Sequence, residues 1–104
     1  REMAKFFSDD AFFDHLQAME SSVEVLRKIY TTFPPKKKHA GLPPEAFTSH
    51  IHKSRRMQKE ILKRALVHYH PDRNSAKKYG RRWNERCKKI TDILLRHYSR
   101  FENY

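Results

Sequence analysis

The chain has one cysteine, Cys87, and two glycines, Gly41 and Gly80, among its 104 residues. A single thiol excludes an internal disulfide framework, and no cluster of cysteines has zinc-site spacing. A reduced intracellular setting, cytosol or nucleus, is therefore expected. Long apolar runs are missing as well: none approaches the roughly 18 residues that span a bilayer, so no membrane insertion is expected. There is no charged-then-apolar leader, and the chain opens on Arg1, as an excised piece of a longer protein would. No stretch keeps up the period-two alternation of a half-buried strand, and the fold class predicted is all-α. Acidic residues are in deficit, 12 Asp and Glu against 23 Lys and Arg, for a net charge of +11. That balance calls for an anionic partner: nucleic acid, an anionic membrane surface or an acidic protein.

What is present suffices for one core. At 38% hydrophobic and 12% aromatic composition, residues 1–104 read as a single domain. The charge divides unevenly along it: residues 1–33 carry net −2 and residues 34–104 carry net +13. Pro34-Pro35, three lysines at 36 to 38, Gly41 and Pro43-Pro44 interrupt any regular element, so residues 34–47 are assigned to a loop.

Before that loop, Ser8 with Asp9 and Asp10 reads as a helix start. Phe12, Leu16, Met19, Val23, Leu26 and Tyr30 recur at three-and-four spacing. Ser21 and Glu24 also fit a capping box, so one helix or two is open; a continuous or slightly kinked long helix ending before Pro34 is the expectation. After the loop, residues 48–104 form the core of the domain. A second helix starts between Pro44 and Ser54 and runs to about Tyr69, with Met57, Ile61, Leu62, Ala65, Leu66 and Tyr69 on one half. Arg56, Lys59, Glu60, Lys63 and Arg64 occupy the other half, making it a basic amphipathic helix that Pro71 stops. A polar connection over residues 72–80 leads to a third helix with a narrow stripe of Trp83, Cys87, Ile90, Leu94, Tyr98 and Phe101. Two stripes of similar length are best buried against each other as an antiparallel hairpin, with the N-terminal helix packed across it.

The segment with chemistry in it is Tyr69-His70-Pro71-Asp72-Arg73-Asn74, at the tip of that hairpin and directly after Lys63-Arg64-Ala65-Leu66-Val67-His68. Pro71 fixes the turn, and a loop carboxylate without a local basic partner is free to accept a charge-assisted hydrogen bond from an arginine elsewhere. His70 sits at the negative end of the preceding helix. The arrangement resembles the J domain, the family of DnaJ-type co-chaperones. Its signature is a His-Pro-Asp tripeptide between two antiparallel helices, preceded by a basic pair, apolar residues and Tyr, and followed by a basic residue and Asn. All of these stand here in order, and the resemblance covers residues 54–102.

The resemblance implies a module that meets a DnaK-type heat-shock chaperone in its ATP-bound form and accelerates ATP hydrolysis there, doing no covalent chemistry itself. On that reading the partner-binding set is His70, Pro71, Asp72, Lys59, Lys63, Arg64, Arg73, Asn74 and Tyr69, the module is expected to be monomeric, and no cofactor is expected. The chain departs from the family pattern upstream. Phe12-Phe13-Asp14-His15-Leu16 is similar to the family's opening helix but lies far from the second helix, so residues 34–47 would be an insertion. Ser22 to Tyr30 resembles the start of a second helix, yet it runs into Phe33-Pro34-Pro35 without His or Asp.

The remaining candidates are weaker. His50-x-His52 and His68-x-His70 put their rings on nearly opposite helix sides with no supporting carboxylate cluster, so no metal is expected. Cys87 falls inside an apolar stripe and reads as a small buried hydrophobe. The rival reading is a basic helical nucleic-acid-binding module, whose affinity would fall steeply with salt. Its two helices would need a three-to-four-residue turn, whereas this connection is longer.

Overall fold

A computed structural model describes residues 9–36 and 54–101, and these are helical with no strand among them. The elements are α1 (Asp9–Ala18), α2 (Ser22–Thr32), α3 (Arg55–His68), α4 (Ala76–Tyr79) and α5 (Arg81–Ser99). Ser8, residues 37–53, with His50 and His52 among them, and most of the expected 34–47 loop lie outside the described residues. No helix among the described residues is long and apolar enough to cross a membrane.

The expected single N-terminal helix is in fact two. Asp9 and Asp10 sit in the first turn of α1, where the helix dipole favours negative charge, and α1 ends at Ala18. Ser21 then takes an extended backbone, and its hydroxyl accepts the Glu24 N–H at 3.2 Å, which caps α2. The break resets the helical phase, so the one-face stripe does not carry through. Phe13 and Leu16 are buried in α1; Val23, Val25, Leu26 and Ile29 are buried in α2. Phe12, Met19 and Tyr30 are only partly covered. Phe33 closes α2 through its N–H to the Ile29 carbonyl at 2.8 Å, and Pro34-Pro35 forbid another turn.

Side-chain caps also open α3 and α4. Ser54 accepts the Met57 N–H at 3.1 Å to open α3, and Ser75 accepts the Lys78 N–H at 3.2 Å to open α4. The short α4 lies within the polar connection over residues 72–80. Gly80 both ends α4 and begins α5, at φ 97° and ψ 152°, a conformation essentially reserved for glycine.

Residue pairs across the molecule fix the helix directions. Arg55 stacks on the Phe101 ring at 4.9 Å, Lys59 lies 5.8 Å from the Tyr98 ring, and Thr91 Oγ1 donates to the Tyr69 carbonyl at 3.2 Å. The two sequences therefore run in opposite directions, α3 against α5. Ser22 meets His97 at 2.8 Å, and Phe33 meets the Trp83 ring at 6.3 Å, so α2 also runs opposite to α5. Between them Leu26, Ile29, Leu62, Ala65, Cys87, Ile90 and Leu94 are fully buried. α1 closes one side of α5. Arg86 donates to both carboxylate oxygens of Asp9 at 2.7 and 3.2 Å, and Lys89 donates to Asp10 at 2.7 Å. The Arg86 guanidinium also lies 4.6 Å from the Phe33 ring, joining three segments with one side chain.

Two residues outside the expected α5 stripe, Ile93 and His97, are buried in it. Burial, with Arg100 and Arg96 nearby, lowers the His97 pKa to about 4, and Ser22 satisfies its Nδ1.

Candidate functional site

The site is the end of the α3/α5 pair where the chain turns through residues 69–74. Helix α3 stops because Pro71 lacks a donor and disfavours helical backbone before it. The turn closes on itself: Arg73 N–H donates to the His70 carbonyl at 3.0 Å, and Asn74 N–H donates to the Pro71 carbonyl at 3.1 Å. His70 Nδ1 accepts the Asp72 N–H at 3.1 Å, which leaves Nε2 to carry the ring proton in the neutral imidazole. The Asp72 carboxylate is 93% exposed, with His70 Nδ1 at 3.9 Å from one of its oxygens. An open carboxylate of this kind can accept a bidentate pair from a guanidinium.

The residues singled out in the sequence do not all occupy this surface. His70, Asp72 and Arg73 are exposed at the tip, with Pro71 half-buried between them. Lys63 and Arg64 are exposed on α3, six or seven residues back, about 10 Å along the axis at the standard helical rise. Lys59 lies about 16 Å back by the same rise and leans over Tyr98, toward the opposite end of the pair. Tyr69 and Asn74 are internal: Tyr69 is fully buried and donates its hydroxyl to the Phe33 carbonyl at 2.6 Å, and Asn74 is 4% exposed. Their part in the site is support from beneath.

The layer under the tip is neutral. Tyr30 hydroxyl and His68 Nδ1 are 2.6 Å apart. Burial and then the Arg64 charge lower the His68 pKa, whereas burial raises that of Tyr30 against the opposing pull of Arg64. Burial raises the Tyr69 pKa as well, so its hydroxyl remains a donor.

The polar contacts that hold the turn have no signature in the sequence pattern. The Trp83 indole N–H donates to Asn74 Oδ1 at 2.9 Å, and Asn74 Nδ2 donates to the carbonyls of His68 at 3.1 Å and His70 at 2.8 Å. Asn84 Nδ2 donates to the carbonyls of Pro71 at 3.2 Å and Asn74 at 3.0 Å. Trp83 reads from the sequence as core, which its 5% exposure bears out, but its N–H has a second use that spacing does not reveal. Asn84 carries no sequence signal.

Comparison with protein-family models, with curated proteins and with solved structures returns no match to this chain.

Proposed function

We propose that the chain is a J-domain co-chaperone module, with α3 and α5 as its helical hairpin and residues 70–72 as its signature loop. The observation that carries the reading is the tip itself. An exposed, unclaimed Asp72 carboxylate and the His70 imidazole are held on a short turn between two opposed helices, with Arg73 next to them and the cations Lys63 and Arg64 farther back on α3. On this reading the partner is a DnaK-type heat-shock chaperone loaded with ATP. Asp72 accepts an arginine of that chaperone, and the cations steer the encounter with an acidic groove. The turn is preformed, so little ordering entropy is lost on docking. ATP is cleaved in the partner; this chain shifts the rate by binding.

A second reading, binding to nucleic acid, is favoured by one feature. Arg73, Lys77, Lys78, Arg81 and Arg82 are all exposed, and no acidic residue interrupts residues 73–84. One experiment separates the two readings: single-turnover ATP hydrolysis by a DnaK-type chaperone, with the wild-type module, His70→Gln and Asp72→Asn. Stimulation by the wild type is expected. Each variant should lose at least tenfold in potency, since a charge-assisted hydrogen bond is worth roughly 1.5–3 kcal/mol. Both substitutions are at exposed positions and should shift stability by no more than about 0.5 kcal/mol. Stimulation that survives both substitutions, or a folded wild type that gives none, overturns the proposal. Oligonucleotide affinity that falls with salt yet is indifferent to His70→Gln would then favour the second reading.

A further inference from the structure

The orientation of the tip has a physical source outside the tip. At the C-terminal end of α3 the backbone carbonyls have no helical partners, and such groups are ordinarily hydrated and free to fray. Here two amide side chains bond one of them, that of His68, and three carbonyls of the turn that follows. Asn74 takes the carbonyls of residues 68 and 70, and Asn84, from the first turn of α5, takes those of residues 71 and 74. Asn74 could present its amide either way round, and Trp83 decides which. An indole N–H only donates, so Oδ1 must face it as the acceptor, and both hydrogens of Nδ2 are turned toward the backbone of the tip.

Trp83 is itself fixed. Phe33 meets its ring edge-on with centroids 6.3 Å apart, the Tyr69 ring lies at 6.4 Å, and the Lys36 ammonium stands 4.7 Å from the ring centroid. A ring seated in the core thus directs one hydrogen bond outward to an amide that grips the turn. Five hydrogen bonds are involved, and four of them end on backbone oxygens of residues 68–74. The side chains of His70 and Asp72 are exposed, and the one hydrogen bond between the two residues runs from the Asp72 backbone N–H to the imidazole. Their direction is inherited from the backbone beneath them.

We propose that Trp83, through its indole N–H, and Asn84 are positioning residues that hold the His70–Asp72 tip in its binding-competent conformation. This inference rests on the co-chaperone reading for its consequence in binding, but not for the tether itself. The test uses Trp83→Phe, which keeps an aromatic ring and removes the donor, and Asn84→Ala, which removes two bonds from a half-buried position on α5. Two readouts are taken on the same proteins: amide hydrogen exchange resolved by residue, and chaperone ATPase stimulation titrated to saturation. Losing one buried partner should speed exchange of the Arg73 and Asn74 amides about tenfold, while amides in the middle of α3 and α5 stay within about twofold. The half-maximal concentration should rise about tenfold, with the saturating rate retained, because the tip must be reordered on binding.

Exchange that speeds equally throughout α3 and α5 would make these residues mere contributors to core stability and overturn the proposal. Unchanged tip exchange in both variants would overturn it too. If the wild type gives no stimulation at all, the co-chaperone reading falls, and the exchange measurement still decides the tether.

Discussion

His97 makes the stability of this fold depend on mildly acidic pH. Its ring is 1% exposed and hydrogen-bonded to Ser22, and burial with the nearby charges of Arg100 and Arg96 lowers its pKa from 6.5 to about 4. Between those values the unfolded chain binds a proton at residue 97 that the folded chain refuses. The stabilisation is complete above about pH 6.5 and is lost as the pH falls toward 4. At about 1.4 kcal/mol per pH unit the whole window corresponds to about 3 kcal/mol, and about 2 kcal/mol of it is gone by pH 5. His68, also lowered by burial, acts in the same direction, so the His97 share must be isolated. His97→Gln serves for that: its amide can bond Ser22 but does not titrate. Urea unfolding followed by far-ultraviolet circular dichroism, from about pH 7.5 to about pH 5, gives both profiles. The wild type should lose about 2 kcal/mol more than His97→Gln across that range. Parallel profiles, or a wild type that gains stability as the pH falls below about 6.5, would refute the reasoning.

Two further expectations concern the core. Cys87 is fully buried, and burial pushes its thiol up to about 12, so a thiol-specific reagent should label it at least a hundredfold more slowly in the native protein than in urea, by order of magnitude. Fast native labelling would contradict its place in the core. Tyr69→Phe removes the donor to the Phe33 carbonyl and should cost about 1–2 kcal/mol in chemical denaturation, with no change in helix content. A neutral result would mean that the carbonyl is satisfied by solvent.

The parts of the molecule legible in the sequence were those with local causes. The Ile61-Leu62-Ala65 part of the α3 stripe, its stop at Pro71 and the Trp83-Cys87-Ile90-Leu94 face follow from periodicity and proline chemistry, whereas Met57, placed in the same stripe, is exposed. The break between α1 and α2 was visible only as the Ser21-Glu24 capping pair. No proline or glycine marks it, and a long helix is otherwise consistent with the composition. Contacts from far along the chain accompany the break, including the Arg100 guanidinium donating to the Glu20 carbonyl at 2.8 Å. The burial of His97 and Ile93 depends on the approach of α2, which no helical wheel of α5 can show. The same holds for the site: the exposed tripeptide is a motif, whereas the amides that grip it are assembled from residues up to sixteen positions apart.

The ties that close α1 onto α5 have a consequence for the order in which the chain assembles. Asp9 and Arg86 are 77 residues apart, while Thr91 and the Tyr69 carbonyl are 22 apart. Bringing the more distant pair together costs about 1 kcal/mol more in chain entropy, and the bonds gained there are partly exposed ion pairs worth little individually. The α3–α5 pair can thus form from nearby contacts, and α1 arrives afterwards, the first element to leave again when the molecule breathes. Each such departure uncovers Phe13 and Leu16, so the acidic N-terminal arm is a reversible cover over part of an otherwise basic body.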